Sequence, residues 1–217
     1  MRFLTVISFV LVNLLLLTSI NVSAQTLQTL QQQGHVDLKA WLEPTEDIAT
    51  KQQVILVIDV GTDTWFSGGT EIGRFDVDNL LVLQRNKLAT NYSERKLGNS
   101  WARQRWELTL YPLASGEYSI PPIAVKVNIT SGSREKVSGT IFTPPVRFKA
   151  SLPAAQLTNE TPWFSATNVE ILQQWNIEAE QSIKVGDAIT REISINAENT
   201  TAALIPKLVS TTTLSSQ

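Results

Sequence analysis

Trp106 to Pro122 reads W-E-L-T-L-Y-P-L-A-S-G-E-Y-S-I-P-P, and its alternation decides the fold. Trp106, Leu108 and Leu110 fall on one side, and Glu107, Thr109 and Tyr111 on the other. A period of two is the mark of a half-buried β-strand. Ala114-Ser115-Gly116-Glu117 turns the chain, with Gly116 free to take a positive φ. Tyr118 and Ile120 resume the alternation, and Ile123, Val125, Val127 and Ile129 carry it on beyond two prolines. Pro121 and Pro122 have no N–H to donate, so the strand must lie at an edge there or change partner.

Working outward, the same grammar recurs. Val36, Leu38 and Ala40 alternate with Asp37, Lys39 and Trp41, and Pro44 to Asp47 turns that first strand. Val54 to Val60 is nearly all apolar, as in a strand buried on both faces. Gly61 to Gly69 reads as a loop, Leu80 to Leu83 as a short strand, and Lys87 to Ser100 as a polar hairpin. Downstream, Ser131-Gly132-Ser133 turns into a last strand, Val137 to Lys149, itself broken by Pro144-Pro145. Strands divided by turns, with no sustained helical period, predict an all-β, Ig-like antiparallel β-sandwich over residues 35–149.

The ends differ from this middle. Arg2, the apolar run Phe3 to Leu17 and the small-residue site Val22-Ser23-Ala24 predict a signal peptide over 1–24, cleaved before Gln25. That run is short for a membrane span, which needs about 20 residues. Residues 25–34 are Gln-rich and read as a flexible lead-in, and 150–168 as a linker. Val169-Glu170-Ile171 to Trp175 then repeats the look of Val36-Asp37-Leu38 to Trp41. Ile183 stands 135 residues beyond Ile48, Ile189 stands 135 beyond Val54, and Trp175 stands 134 beyond Trp41. One insertion aligns the two, predicting an incomplete second Ig-like β module over 169–217. About fifty residues are too few to close a sandwich of the first module's size.

Composition narrows the chemistry. The formal charge is −2 with mixed signs along the chain, so no basic stripe points to nucleic acid. The chain has no cysteine, which excludes disulfides, thiolate metal sites and thiol nucleophiles. His35 is the single histidine, so a Ser-His-Asp triad would have to use it, and no G-x-S-x-G elbow is present. Asp59, Asp63, Glu71, Asp76, Asp78 and Asn79 offer oxygen ligands, but their spacing fits no EF-hand loop. No catalytic, cofactor-binding or metal-ligating residue is therefore assigned, and no small-molecule substrate is expected. The candidate interaction surface is Trp65, Phe66, Trp101, Arg103 and Arg105. Trp101, Arg103 and Arg105 share the strand face opposite Trp106, where they could stack on a sugar or pair with an acidic partner. The competing reading has the arginines paired with Glu107 or loop acids. Trp65-Phe66 is either an interaction tip or a plug over the sandwich end. The N-x-S/T sequons at Asn91, Asn128, Asn159 and Asn199 are expected to be chance matches, as they would be in a bacterial protein.

The order of these motifs resembles the BatD "oxygen tolerance" family. The likeness rests on W-L-E-P-T-E at Trp41 to Glu46, the stretch Trp106 to Pro122, Gly186 to Arg191 and Leu204-Ile205-Pro206. The resemblance implies an exported envelope protein of Ig-like modules, encoded beside a MoxR-type ATPase and proteins with von Willebrand A domains. It implies a role in aerotolerance or stress survival, with those membrane proteins as partners, and it carries no catalytic residues over. The family usually ends in a membrane helix, and this sequence shows none. The expectation is thus a non-enzymatic periplasmic interaction module with no anchor in this chain. The alternative is a carbohydrate-binding or adhesin-like sandwich, and a third option is an envelope hydrolase built on His35 or the loop carboxylates.

Overall fold

The computed structural model describes residues 26–96, 98–177, 182 and 184–207. The expected signal peptide, Ile183 and the chain beyond 207 lie outside the described residues. One short helix, α1 (Leu27–Gln32), precedes the strands. These are β1 (Val36–Glu43), β2 (Ile48–Ala49), β3 (Val54–Thr62), β4 (Trp65–Phe66), β5 (Glu71–Ile72), β6 (Leu80–Leu83) and β7 (Thr90–Lys96). There follow β8 (Asn99–Pro112), β9 (Gly116–Ile120), β10 (Ala124–Thr130), β11 (Lys136–Phe142), β12 (Val146–Ser151), β13 (Thr167–Trp175) and β14 (Arg191–Glu198). The chain is an all-β sandwich, and no helix among the described residues is long and apolar enough to cross a membrane.

The first layer is a five-stranded sheet ordered β1-β3-β8-β6, with β7 also paired to β8. At 14 residues, β8 is long enough to take β7 along its first half and β6 along its last four residues. Its alternation holds: Trp106, Leu108 and Leu110 face the core, and Trp106 Nε1 donates to Thr70 Oγ1 at 2.8 Å. The continuous run in β3 is buried on both sides, with Leu56, Ile58 and Val60 inward and Val57 and Asp59 outward.

The second layer is one long hairpin broken in the middle. β10 pairs β11 with Ala124 opposite Phe142, and β9 pairs β12 with Ile120 opposite Val146. The two ladders keep a single register, so Pro121 falls opposite Pro145 and Pro122 opposite Pro144. Four residues without an N–H thus meet at two adjacent levels, and no ladder can form there. Thr143 spans the gap: its N–H donates to Ile123 O at 3.0 Å, and its Oγ1 accepts from Ile123 N–H at 2.9 Å. On either side of the break the sheet takes different neighbours: β2 joins β12 in parallel, while β4 and β5 join β10. Tyr118 fixes the turn before it, its hydroxyl donating to Ala114 O at 2.7 Å, as tyrosine corners do in sandwiches. Valines, isoleucines and leucines of both layers meet in one core cluster.

Two expected boundaries differ from the structure. The lead-in at 25–34 contains α1, capped by Thr26, because Leu27 and Leu30 lie three apart on one helical face and enter the core. The expected linker begins later, since Ala150 and Ser151 extend β12 against β2. It is also tied down: Lys51 Nζ donates to Trp163 O at 2.9 Å and sits 4.7 Å from that ring's centroid. Beyond it, β13 and β14 form a two-stranded sheet.

Candidate functional site

The outer face of the five-stranded sheet holds the arginine pair. Successive strands place Asp37 on β1, Asp59 on β3, Arg103 on β8 and Glu94 on β7. Arg103 Nη2 donates to Asp37 at 2.9 Å, Nη1 to Asp59 at 2.6 Å, and Nε to Glu94 at 2.6 Å. One guanidinium therefore ties four strands, using its planar fork as a lysine could not. Gly61 makes the room: a Cβ there would meet Arg103 Cζ at 2.9 Å and Asp37 Oδ1 at 2.8 Å. Lys96 adds a second cation on Asp37 at 2.5 Å and lies 4.2 Å from the Trp101 ring centroid. Arg105 reaches Asp59 at 3.2 Å and is stacked between Trp41 and Tyr92, at 5.5 and 5.1 Å from their centroids. The Tyr92 hydroxyl donates to Asp59 Oδ2, the oxygen that also accepts from Arg105, while Arg103 holds Oδ1.

The electrostatics follow from this packing. Burial pushes the Asp37 carboxyl up, but hydrogen bonds from Lys96 and Arg103 outweigh it and hold its pKa below the usual carboxylate range. Burial also disfavours charge on Arg103, yet its bonds to Asp37, Asp59 and Glu94 raise its pKa further. Tyr92 is raised by burial and by its bond to Asp59. Three acids balance Lys96, Arg103 and Arg105, so the cluster carries no net charge.

The five residues named from sequence do not converge. Trp101 is 6% exposed and Arg103 2%, sealed by Lys96 and their carboxylate partners. Arg105 keeps its side chain 35% exposed. Trp65 and Phe66 sit on β4 at the other layer, opposite Thr130 and Ile129. Phe66 packs against the core, and Trp65 is left 75% exposed. The acids that bind the arginines were not singled out with them. The signal was present, since Asp59 interrupts an otherwise apolar run and Asp37 shares its strand parity with Trp41. The loop carboxylates scatter: Asp59 serves the arginines, Asp63 takes His35 Nδ1 at 2.8 Å, and Glu71 takes Lys126 at 3.0 Å.

A second surface is apolar. The β13–β14 hairpin directs Ile171, Gln173 and Trp175 to one face, together with Arg191, Ile193 and Ile195, with Val169 and Ile189 flanking the ladder. Val169, Ile171, Trp175 and Ile189 are 45, 57, 50 and 44% exposed. Arg191 lies over Trp175 at 5.6 Å and is held by Gln173, giving that face a single cation. Compared with models of protein families, with curated proteins and with solved structures, the chain matches none.

Proposed function

We propose that this chain is a non-enzymatic interaction module of the bacterial envelope, exported by its N-terminal signal and working by docking rather than by chemistry. The observation that carries this reading is the bare apolar face of the β13–β14 hairpin, with Ile171 and Trp175 each 50% exposed or more and Val169 and Ile189 beside them 45 and 44% exposed. A sheet face of that composition is stable in water when another surface covers it. The charged cluster supports the same reading from the other side. Its charged groups are paired with one another, so Arg103 serves to lock strands rather than to hold a ligand. The resemblance to BatD supplies the partner class, membrane proteins with von Willebrand A domains, and the setting, aerotolerance or envelope stress survival. The test uses the full chain immobilised, with such a von Willebrand A protein in detergent passed over it. Retention is expected, and Ile171→Asp is expected to abolish it while leaving the sandwich's denaturation midpoint in place. Equal retention by the variant would overturn the docking surface.

A second reading, carbohydrate binding, is favoured by Trp65 alone. Its exposed indole is suited to stacking on a sugar ring. Quenching of tryptophan fluorescence by envelope glycans, lost in Trp65→Ala, would support it over protein docking.

A further inference from the structure

The β11 edge carries an arrangement that the proposed docking face does not use. β11 ends its sheet, paired to β10 on one side and to no described strand on the other. Thr140 O faces that free side, because it accepts from Gln28 Nε2 at 2.9 Å. Alternate residues of an antiparallel strand present their backbone in one direction, so Lys136, Ser138 and Phe142 turn their N–H and C=O groups the same way. Such a row is a template for another strand. Helix α1 lies across it. Leu27 and Leu30 are 1% and 2% exposed, and Leu27 fills the space that Gly139 leaves, where a Cβ would meet Leu27 Cβ at 2.9 Å. Gln28 stands in for the missing strand by donating to Thr140 O.

This cover is lightly held. Six residues form too short a helix to persist alone in water. Gly34, at φ 81, joins the helix to β1 as a backbone pivot. The grip of α1 on the sandwich rests on two leucines and one amide. We propose that the β11 edge is a strand-pairing surface guarded by α1, and that its partner when α1 lifts is β11 of a second copy of this chain. Antiparallel pairing about a two-fold axis at Ser138 sets Lys136 opposite Thr140 of the other copy. No like charges meet along the strand, and Phe142, 61% exposed in the monomer, lies diagonally across from that Lys136, within reach of its long side chain. The contact is isologous and closed, so it stops at a dimer. It is separate from the β13–β14 face and holds or fails independently of it.

Sedimentation of the full chain tests this, with β13–β14 unaltered in every variant. Leu27→Asp/Leu30→Asp is expected to release α1 and double the mass relative to wild type. Amide exchange should become fast at residues 27–33 and slow at Ser138 and Thr140. Adding Ser138→Pro removes an outward N–H that the sandwich does not use, and should return the mass to the wild-type value. Released α1 without a doubling, or a doubling that survives Ser138→Pro, would overturn the proposal. Should the double aspartate variant lose the sandwich's circular dichroism, Gln28→Ala keeps both leucines and decides the matter. A higher dimer fraction than wild type is expected, and an unchanged fraction overturns the proposal.

Discussion

The hairpin β1–β3 and the hairpin β13–β14 are built alike and end differently. In the first, Leu38 faces Val60, Ala40 faces Ile58 and Leu42 faces Leu56. In the second, Ile171 faces Ile195, Gln173 faces Ile193 and Trp175 faces Arg191. The apolar pairs follow the same register, with the second connection two residues longer between Trp175 and Arg191 than between Leu42 and Leu56. Yet Leu56, Ile58 and Val60 are fully buried, while Ile171 and Trp175 are half exposed. Alternation fixes which residues share a face; burial depends on whether a second layer stands over it. The back faces differ as well. Where the first hairpin has Asp37, Asp59 and Gly61 around a buried arginine, the second has Glu170, Ser194 and Asn196, all exposed.

The sharpest break between the two is expected at tryptophan. Trp106→Ala removes a core side chain and orphans Thr70 Oγ1, and should cost roughly 3–5 kcal/mol. Trp175→Ala, on the bare face, should cost under about 0.5 kcal/mol. Urea midpoints of the two variants measure the contrast, and equal midpoints would mean that the second face is covered in solution. Next in size is Arg103→Ala. It takes a partner from three carboxylates at a site where Asp59 is 1% exposed, and should cost about 3 kcal/mol by the same measurement. Arg191→Ala, over Trp175 on the second hairpin, should be near neutral.

These contrasts show what was legible beforehand. The parity of β8, the turn at Gly116 (φ 149) and the double run in β3 follow from period two, a local property. The repeat was legible too, but its tryptophans misalign. Trp41 lies on the outer face against Arg105, whereas Trp175 lies on the apolar face and matches Leu42 instead. A large ring fits either face of an exposed or half-covered strand, so it is a poor marker of register, and the aliphatic positions are the better one. The charged cluster was half legible: parity put Trp101, Arg103 and Arg105 together. That Trp101 and Arg103 are closed rather than open depends on acids 66 and 44 residues upstream of Arg103, brought in by strand pairing. Helix α1 was hidden because its two leucines sit in a Gln-rich run, where only the tertiary groove at Gly139 gives them a place.

A smaller effect is expected at Gly61. Its Cβ would press on the Arg103 guanidinium and on Asp37 Oδ1, which is buried with no hydrogen-bond partner. Gly61→Ala should cost about 1–3 kcal/mol by overpacking. Asn196, the matching position on β14, already bears a side chain and has no arginine beside it. Asn196→Ala should leave the midpoint unchanged.

The smallest effect concerns acid. Asp37 holds its carboxylate against burial through Lys96 and Arg103, so its pKa in the folded chain lies below that in the unfolded chain. A lowered folded pKa means that the unfolded state takes up protons first as pH falls. The stabilisation is therefore fully present above the unfolded value, about 3.9. It is lost progressively as pH drops from there through the folded value. Asp37→Asn should be less stable than wild type at pH 7, with a gap that narrows once the pH falls below about 4. Urea midpoints taken between pH 7 and pH 2.5 measure the gap. A gap for Asp37→Asn that stays constant down to the lowest pH would show that its carboxylate gains nothing from the two cations. The outer face of the first hairpin would then be no more an electrostatic lock than that of the second.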